Sequence, residues 1–150
     1  MKQFINNTAF GFALVMLLSL ALPLMAEAAT PLVGKATGAI TSFAPGAGGV
    51  AITTFAEGHT THLGQFSREE HLLLDPNTGA FTGTIVFTAA NGDKLFGTVK
   101  GNFTSATDAV GSYTFTGGTR RFKLARGGAD FVVSSSDGIH FSVTFRGLIN

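Results

Sequence analysis

Asp137-Gly138-Ile139-His140-Phe141-Ser142-Val143-Thr144-Phe145-Arg146 decides the fold. Ile139, Phe141, Val143 and Phe145 alternate with His140, Ser142, Thr144 and Arg146. A period of two is that of a strand with one face toward a core and the other toward water. The Asp-Gly ahead of it is hairpin chemistry, because glycine takes the positive φ that a tight reversal requires. The pattern recurs upstream. In 80–89, Phe81, Ile85 and Phe87 share one face and Thr82, Thr84 and Thr88 the other. In 94–103, Leu95, Val99 and Phe103 share a face, with Gly97 and Gly101 between them. Asn91-Gly92-Asp93 joins these two segments and is the strongest hairpin signal in the chain. Pro76-Asn77-Thr78-Gly79, ahead of residue 80, carries proline and glycine where a tight turn uses them.

Further strands are expected over 32–43, 50–57, 109–116 and 129–134, with a mixed apolar and charged segment over 60–75. Together these make about eight antiparallel strands and no helix of any length. The fold class predicted is all-β: a single antiparallel eight-stranded β-barrel, with a sandwich as the alternative. Closure is favoured because an open sheet of this length leaves two edges that invite aggregation. Glycines inside the strands fit strong curvature and close backbone approach.

The N-terminus reads differently. Lys2 precedes an apolar run over 11–25, and Ala26-Glu27-Ala28 follows, with small residues at both positions that a signal peptidase reads. This is the pattern of a secretory signal. The apolar run is shorter than the roughly 20 residues that span a bilayer, which disfavours the alternative of a membrane anchor. The expected organisation is therefore a signal peptide over 1–28 and one β-barrel domain over 29–150, secreted or periplasmic. The chain contains no cysteine, which excludes disulfides, thiolate metal sites and thiol catalysis. A formal net charge of +1 is too small for electrostatic capture of nucleic acid or of an acidic membrane. The local basic cluster Arg120, Arg121, Lys123 and Arg126 reads as a solvated loop.

One stretch is more specific. Phe115-Thr116-Gly117-Gly118-Thr119-Arg120-Arg121-Phe122-Lys123-Leu124-Ala125-Arg126-Gly127 resembles the late hairpin of allene oxide cyclases and dirigent proteins, which reads roughly GGTGxFxxAxG. Gly117, Gly118, Thr119, Phe122, Ala125 and Gly127 fall on that pattern, and Arg120 stands where a third glycine is usual. The resemblance implies the eight-stranded barrel of that family and a structural role for the motif. Gly118 and Gly127 are expected at positive φ, and Phe122 is expected to plug the barrel end. The family's activities steer reactive apolar intermediates inside the barrel. None of its catalytic residues is matched here by motif, and a shared fold does not carry a shared chemistry.

Other candidate chemistry is sparse. His59, His62 and His71, with Glu57 nearby, lack metal-binding spacing, because residues three apart on a strand face opposite ways. No metal and no cofactor are expected. Ser134, Ser135, Ser136, Asp137 and His140 hold the residue types of a hydrolase triad, but on one hairpin and without a nucleophile elbow. Arg68, Glu69, Glu70 and His71 are the densest ionisable cluster. If Phe66, Leu72 and Leu74 point inward, the same alternation places Glu70 inside and Glu69 outside. Glu70 is thus the one catalytic candidate, since a buried carboxylate can serve as acid or base.

Small barrels enclose ligand cavities, and twelve phenylalanines follow residue 28 to line or fill one. The function expected is that of an exported barrel that binds a small hydrophobic molecule in its lumen. Phe81, Ile85, Phe87, Ile139, Phe141, Val143 and Phe145 are the expected binding residues. An isomerase or cyclase using Glu70 is the first alternative, and a structural or partner-binding barrel with a filled lumen is the second. No nucleic acid and no stable membrane anchoring after signal cleavage are expected, and the oligomeric state is not specified by the sequence.

Overall fold

The computed structural model describes residues 28–150, so nearly all of the proposed signal peptide lies outside the described residues. Eight strands follow one another: β1 (Thr30–Gly46), β2 (Gly49–Thr60), β3 (Gly64–Leu74), β4 (Ala80–Ala89), β5 (Lys94–Phe103), β6 (Asp108–Gly118), β7 (Gly127–Ser135) and β8 (His140–Ile149). Each pairs antiparallel with the next, and β8 pairs back onto β1, from Thr30↔Ile149 to Ala39↔His140. The result is a closed barrel in sequential order. Closure leaves no free sheet edge.

Alternation along each strand fills the interior. Leu32, Ala36, Ile52, Ala56, Phe66, Phe81, Ile85, Phe87, Leu95, Val99, Tyr113, Phe115, Phe131, Val143 and Phe145 are all buried. Phe87 sits among Phe66, Tyr113, Phe115 and Phe145, with ring centroids 5.4, 5.7, 6.2 and 5.8 Å away. Glycines on the inner face make room for these rings: a Cβ on Gly34 would overlap the Phe145 ring, and one on Gly111 the Phe131 ring. Large and small residues thus alternate around the lumen, as a small barrel requires.

The two ends differ. One end carries the start of β1, the end of β8, the β2–β3 and β4–β5 turns and the longer β6–β7 connection. That connection folds into a short 3₁₀ turn, η1 (Arg120–Phe122), with Phe122 and Ala125 buried, and Leu63 of the β2–β3 turn is buried with them. Phe122 closes this end. The other end carries the β1–β2, β3–β4, β5–β6 and β7–β8 turns, at which Gly48, Gly79 and Gly138 take positive φ.

One feature of the β6–β7 connection departs from expectation. Gly127 holds positive φ (119°) and so does Gly117 (130°), whereas Gly118 does not. Gly118 is needed for a different reason: a Cβ there would overlap the Lys94 carbonyl oxygen of β5. Arg120, standing where the related hairpins have glycine, is left-handed at φ 46°, and among the described residues no other non-glycine is at positive φ. Its guanidinium reaches the buried Asp93 carboxylate at 3.3 Å, and Arg121 meets the other oxygen at 3.3 Å. Left-handed backbone costs a residue with a Cβ about 1–2 kcal/mol, while an ion pair from so exposed an arginine is worth about 0–1 kcal/mol. Arg120→Gly is therefore expected to leave the denaturation midpoint unchanged or raise it. A clear fall would show that the Asp93 contact outweighs the backbone.

Candidate functional site

β3 carries charged groups into the lumen. Phe66, Arg68 and Glu70 are buried on its inner face, while Glu69 and His71 face solvent and pair with each other at 2.9 Å. Glu70 thus lies on the side that alternation with Phe66 indicates. Arg68 Nη1 donates to Glu70 Oε1 at 3.0 Å and also to the Tyr113 hydroxyl on β6. Thr54 Oγ1 on β2 donates to Glu70 Oε2 at 2.9 Å. The Arg68 guanidinium lies 5.8 Å from the Tyr113 ring centre and 5.6 Å from that of Phe141. Arg68 Nε has no hydrogen-bond partner.

These contacts set the protonation states. Burial pulls the Arg68 pKa down, but Glu70 and then Tyr113 more than offset this, leaving it raised. Burial, and then the charge of Glu70, push the Tyr113 phenol well up, so it stays neutral. The group is a buried ion pair with a tyrosine behind it and a threonine beside it.

Beyond Glu70, toward the unplugged end, the lumen is open. A cavity of about 80 Å³ has Thr54 and Glu70 at its inner end and is walled by Ile52, Leu72, Phe81, Phe131, Val133 and Phe141. Ile40, Phe103, Thr107 and Ile139 form its rim, from the β1 bulge and the β5–β6 and β7–β8 turns. The residues expected to bind a ligand divide accordingly. Phe81, Phe141 and Ile139 line the cavity, although Ile139 is 49% exposed in the turn ahead of β8 rather than part of an inward stripe. Ile85, Phe87, Val143 and Phe145 are buried deeper, in the packed core, and do not line it.

Arg68, Tyr113 and Thr54 were not singled out as site residues from sequence. Parity offered the signal in each case: Arg68 alternates with Phe66 and Glu70, Tyr113 with Phe115, and Thr54 with Ile52 and Ala56. The histidines stay apart from the lumen. His62 hydrogen-bonds Thr30, His140 pairs with Asp137 at 2.8 Å, and no metal-binding group of three or more His, Cys, Asp or Glu occurs among the described residues. Ser135 Oγ hydrogen-bonds Asp137 at 3.3 Å and the His140 carbonyl, capping the turn.

Three carboxylates hold the turns at the open end. Asp75 accepts from the Asn77 backbone and Thr78, Asp108 from Ser105 and Ser134, and Asp137 from His140 and the Ile139 and His140 backbone. Those hydrogen bonds lower all three carboxyl pKa values. A carboxyl lowered in the folded state contributes its stability above the unfolded value, about 3.9, and loses it as pH falls from there. In the folded protein the amide resonances of 75–79 and 105–108 are therefore expected to complete their acid titration below the ordinary carboxylate value of about 3.9. Midpoints at or above that value would contradict this.

Fold and site together define a class: a closed antiparallel meander barrel, plugged at one end and open at the other onto an apolar cavity with a buried ion pair at its inner end. The chain matches no protein-family model and no curated protein.

Proposed function

We propose that this protein is an exported barrel that binds a small hydrophobic molecule in the open end of its lumen. One observation carries the reading: the inward-facing residues pack solidly around Phe87 but leave a cavity toward the turns of the unplugged end. A well-packed interior leaves few voids larger than a water molecule, and an apolar hollow with a few convergent polar groups is the usual form of a small-molecule site. At about 80 Å³, it is roughly half the ~150 Å³ of an engineered apolar cavity that takes up benzene. A larger guest would therefore extend outward between the rim residues Ile40 and Ile139. Export rests on the charged start, apolar run and Ala26-Glu27-Ala28, with Ala29 as the mature N-terminus. Kinship with the allene oxide cyclase and dirigent barrels rests on the Gly117–Gly127 hairpin.

A small apolar fluorescent probe should bind the folded protein with about one-site stoichiometry. Phe141→Asp, which puts a charge on the cavity wall, should abolish binding while circular dichroism stays that of the barrel. Absence of probe binding to the folded wild type would refute the reading and leave a structural or partner-binding barrel in its place. The second reading is an isomerase or cyclase, and what favours it is Glu70 facing the cavity. Under it, Glu70→Gln abolishes turnover while retaining binding.

A further inference from the structure

We infer that the ligand is a neutral molecule with an apolar body and a hydroxyl head, and that the head donates its proton to Glu70. The inference rests on the binding reading above and adds the chemistry that the inner end of the cavity selects.

The hydrogen-bond inventory there is one-sided. A carboxylate only accepts and offers about four lone-pair sites. Arg68 Nη1 occupies one on Oε1 at 3.0 Å, Thr54 one on Oε2 at 2.9 Å, and the neutral Tyr113 hydroxyl, which also hydrogen-bonds Glu70, a third, so acceptor capacity remains on a carboxylate that lines the cavity. Thr54 has a single hydroxyl proton, and it is committed to Glu70. What Thr54 has left is also acceptor capacity. Arg68, which carries the donors, does not line the cavity. It lies behind Glu70, with the Phe141 ring 5.6 Å from its guanidinium carbon. An acceptor-only surface calls for a donor.

Charge narrows the class. A ligand carboxylate would face the Glu70 carboxylate across apolar surroundings, where like charges repel strongly. An ammonium would lose its hydration to enter, and Arg68 already balances the charge that would reward it. A neutral hydroxyl meets neither cost and forms a charge-assisted hydrogen bond. The walls of Ile52, Leu72, Phe81, Phe131 and Val133 take the apolar body.

The test is a calorimetric or NMR titration of the folded protein with four probes of matched length: 1-hexanol, 1-chlorohexane, hexanoate and hexylammonium. The expected result is 1-hexanol binding about tenfold or more tighter than the other three, as a hydrogen bond to a charged group would give. In Arg68→Met/Glu70→Met, which replaces the pair with apolar volume, 1-hexanol and 1-chlorohexane should bind alike. If 1-chlorohexane matches 1-hexanol in the wild type, or if hexanoate or hexylammonium binds tighter, the hydroxyl inference is overturned and the apolar cavity reading stands. If none of the four binds, both fall together.

Discussion

Arg68→Met is expected to destabilise the barrel by about 3–5 kcal/mol, the cost of leaving one member of a buried ion pair without its partner. Glu70 would keep the Thr54 and Tyr113 hydroxyls but lose its counter-charge among largely apolar walls. For a small domain with about 5–15 kcal/mol of total stability, this is a large fraction. The double variant Arg68→Met/Glu70→Met should recover most of the loss, because a buried pair replaced by apolar residues of similar volume is often neutral or stabilising. Denaturant unfolding of the wild type and both variants reads this directly. A single variant within about 1 kcal/mol of wild type would mean that the pair does not hold the core in the way its geometry implies.

The second large effect belongs to the β6–β7 connection. Gly127→Val forces a β-branched residue into φ 119° and pushes its Cβ into the Leu148 carbonyl oxygen of β8. Backbone strain of about 1–3 kcal/mol and overpacking of about 1–3 kcal/mol act at one position, giving an expected loss of about 2–6 kcal/mol. Gly118→Val meets the steric cost alone, at the Lys94 carbonyl, and should lose about 1–3 kcal/mol. The ordering matters as much as the size. Equal losses would show that positive φ contributes nothing at Gly127, and unchanged midpoints in both would remove the structural basis of the glycine-marked hairpin.

Sequence made the strands legible where turn residues bound them on both sides. β4 starts just after Pro76-Asn77-Thr78-Gly79 and ends just before Asn91-Gly92-Asp93, and β5 starts just after that second turn. The start of β3 was harder, because its turn over 61–63 contains neither proline nor glycine and the Gly64 that follows, at φ 68°, is the lone marker. Of the site, alternation revealed the side of the sheet but not the depth along the barrel axis. Phe81 and Phe141 share an inner face with Ile85, Phe87, Val143 and Phe145, and nothing in a period of two tells which of them lie beside the cavity and which lie in packed core. That division follows from where the β6–β7 connection closes the lumen. Arg68 had the right parity but was not recognised as buried, since its burial depends on Tyr113, 45 residues away, arriving beside it. Contact across a lumen leaves no local trace in either segment.

The central claim is that the open end of the lumen, and not the plugged end, holds a small apolar guest. Methyl-resolved NMR during a titration with 1-hexanol tests it most directly. The account predicts saturable shifts at the methyls of Ile40, Ile52, Leu72, Val133 and Ile139, with Leu32, Leu95 and Val143 unmoved. Shifts that never saturate, or that centre on Leu32, Leu95 and Val143, would contradict it.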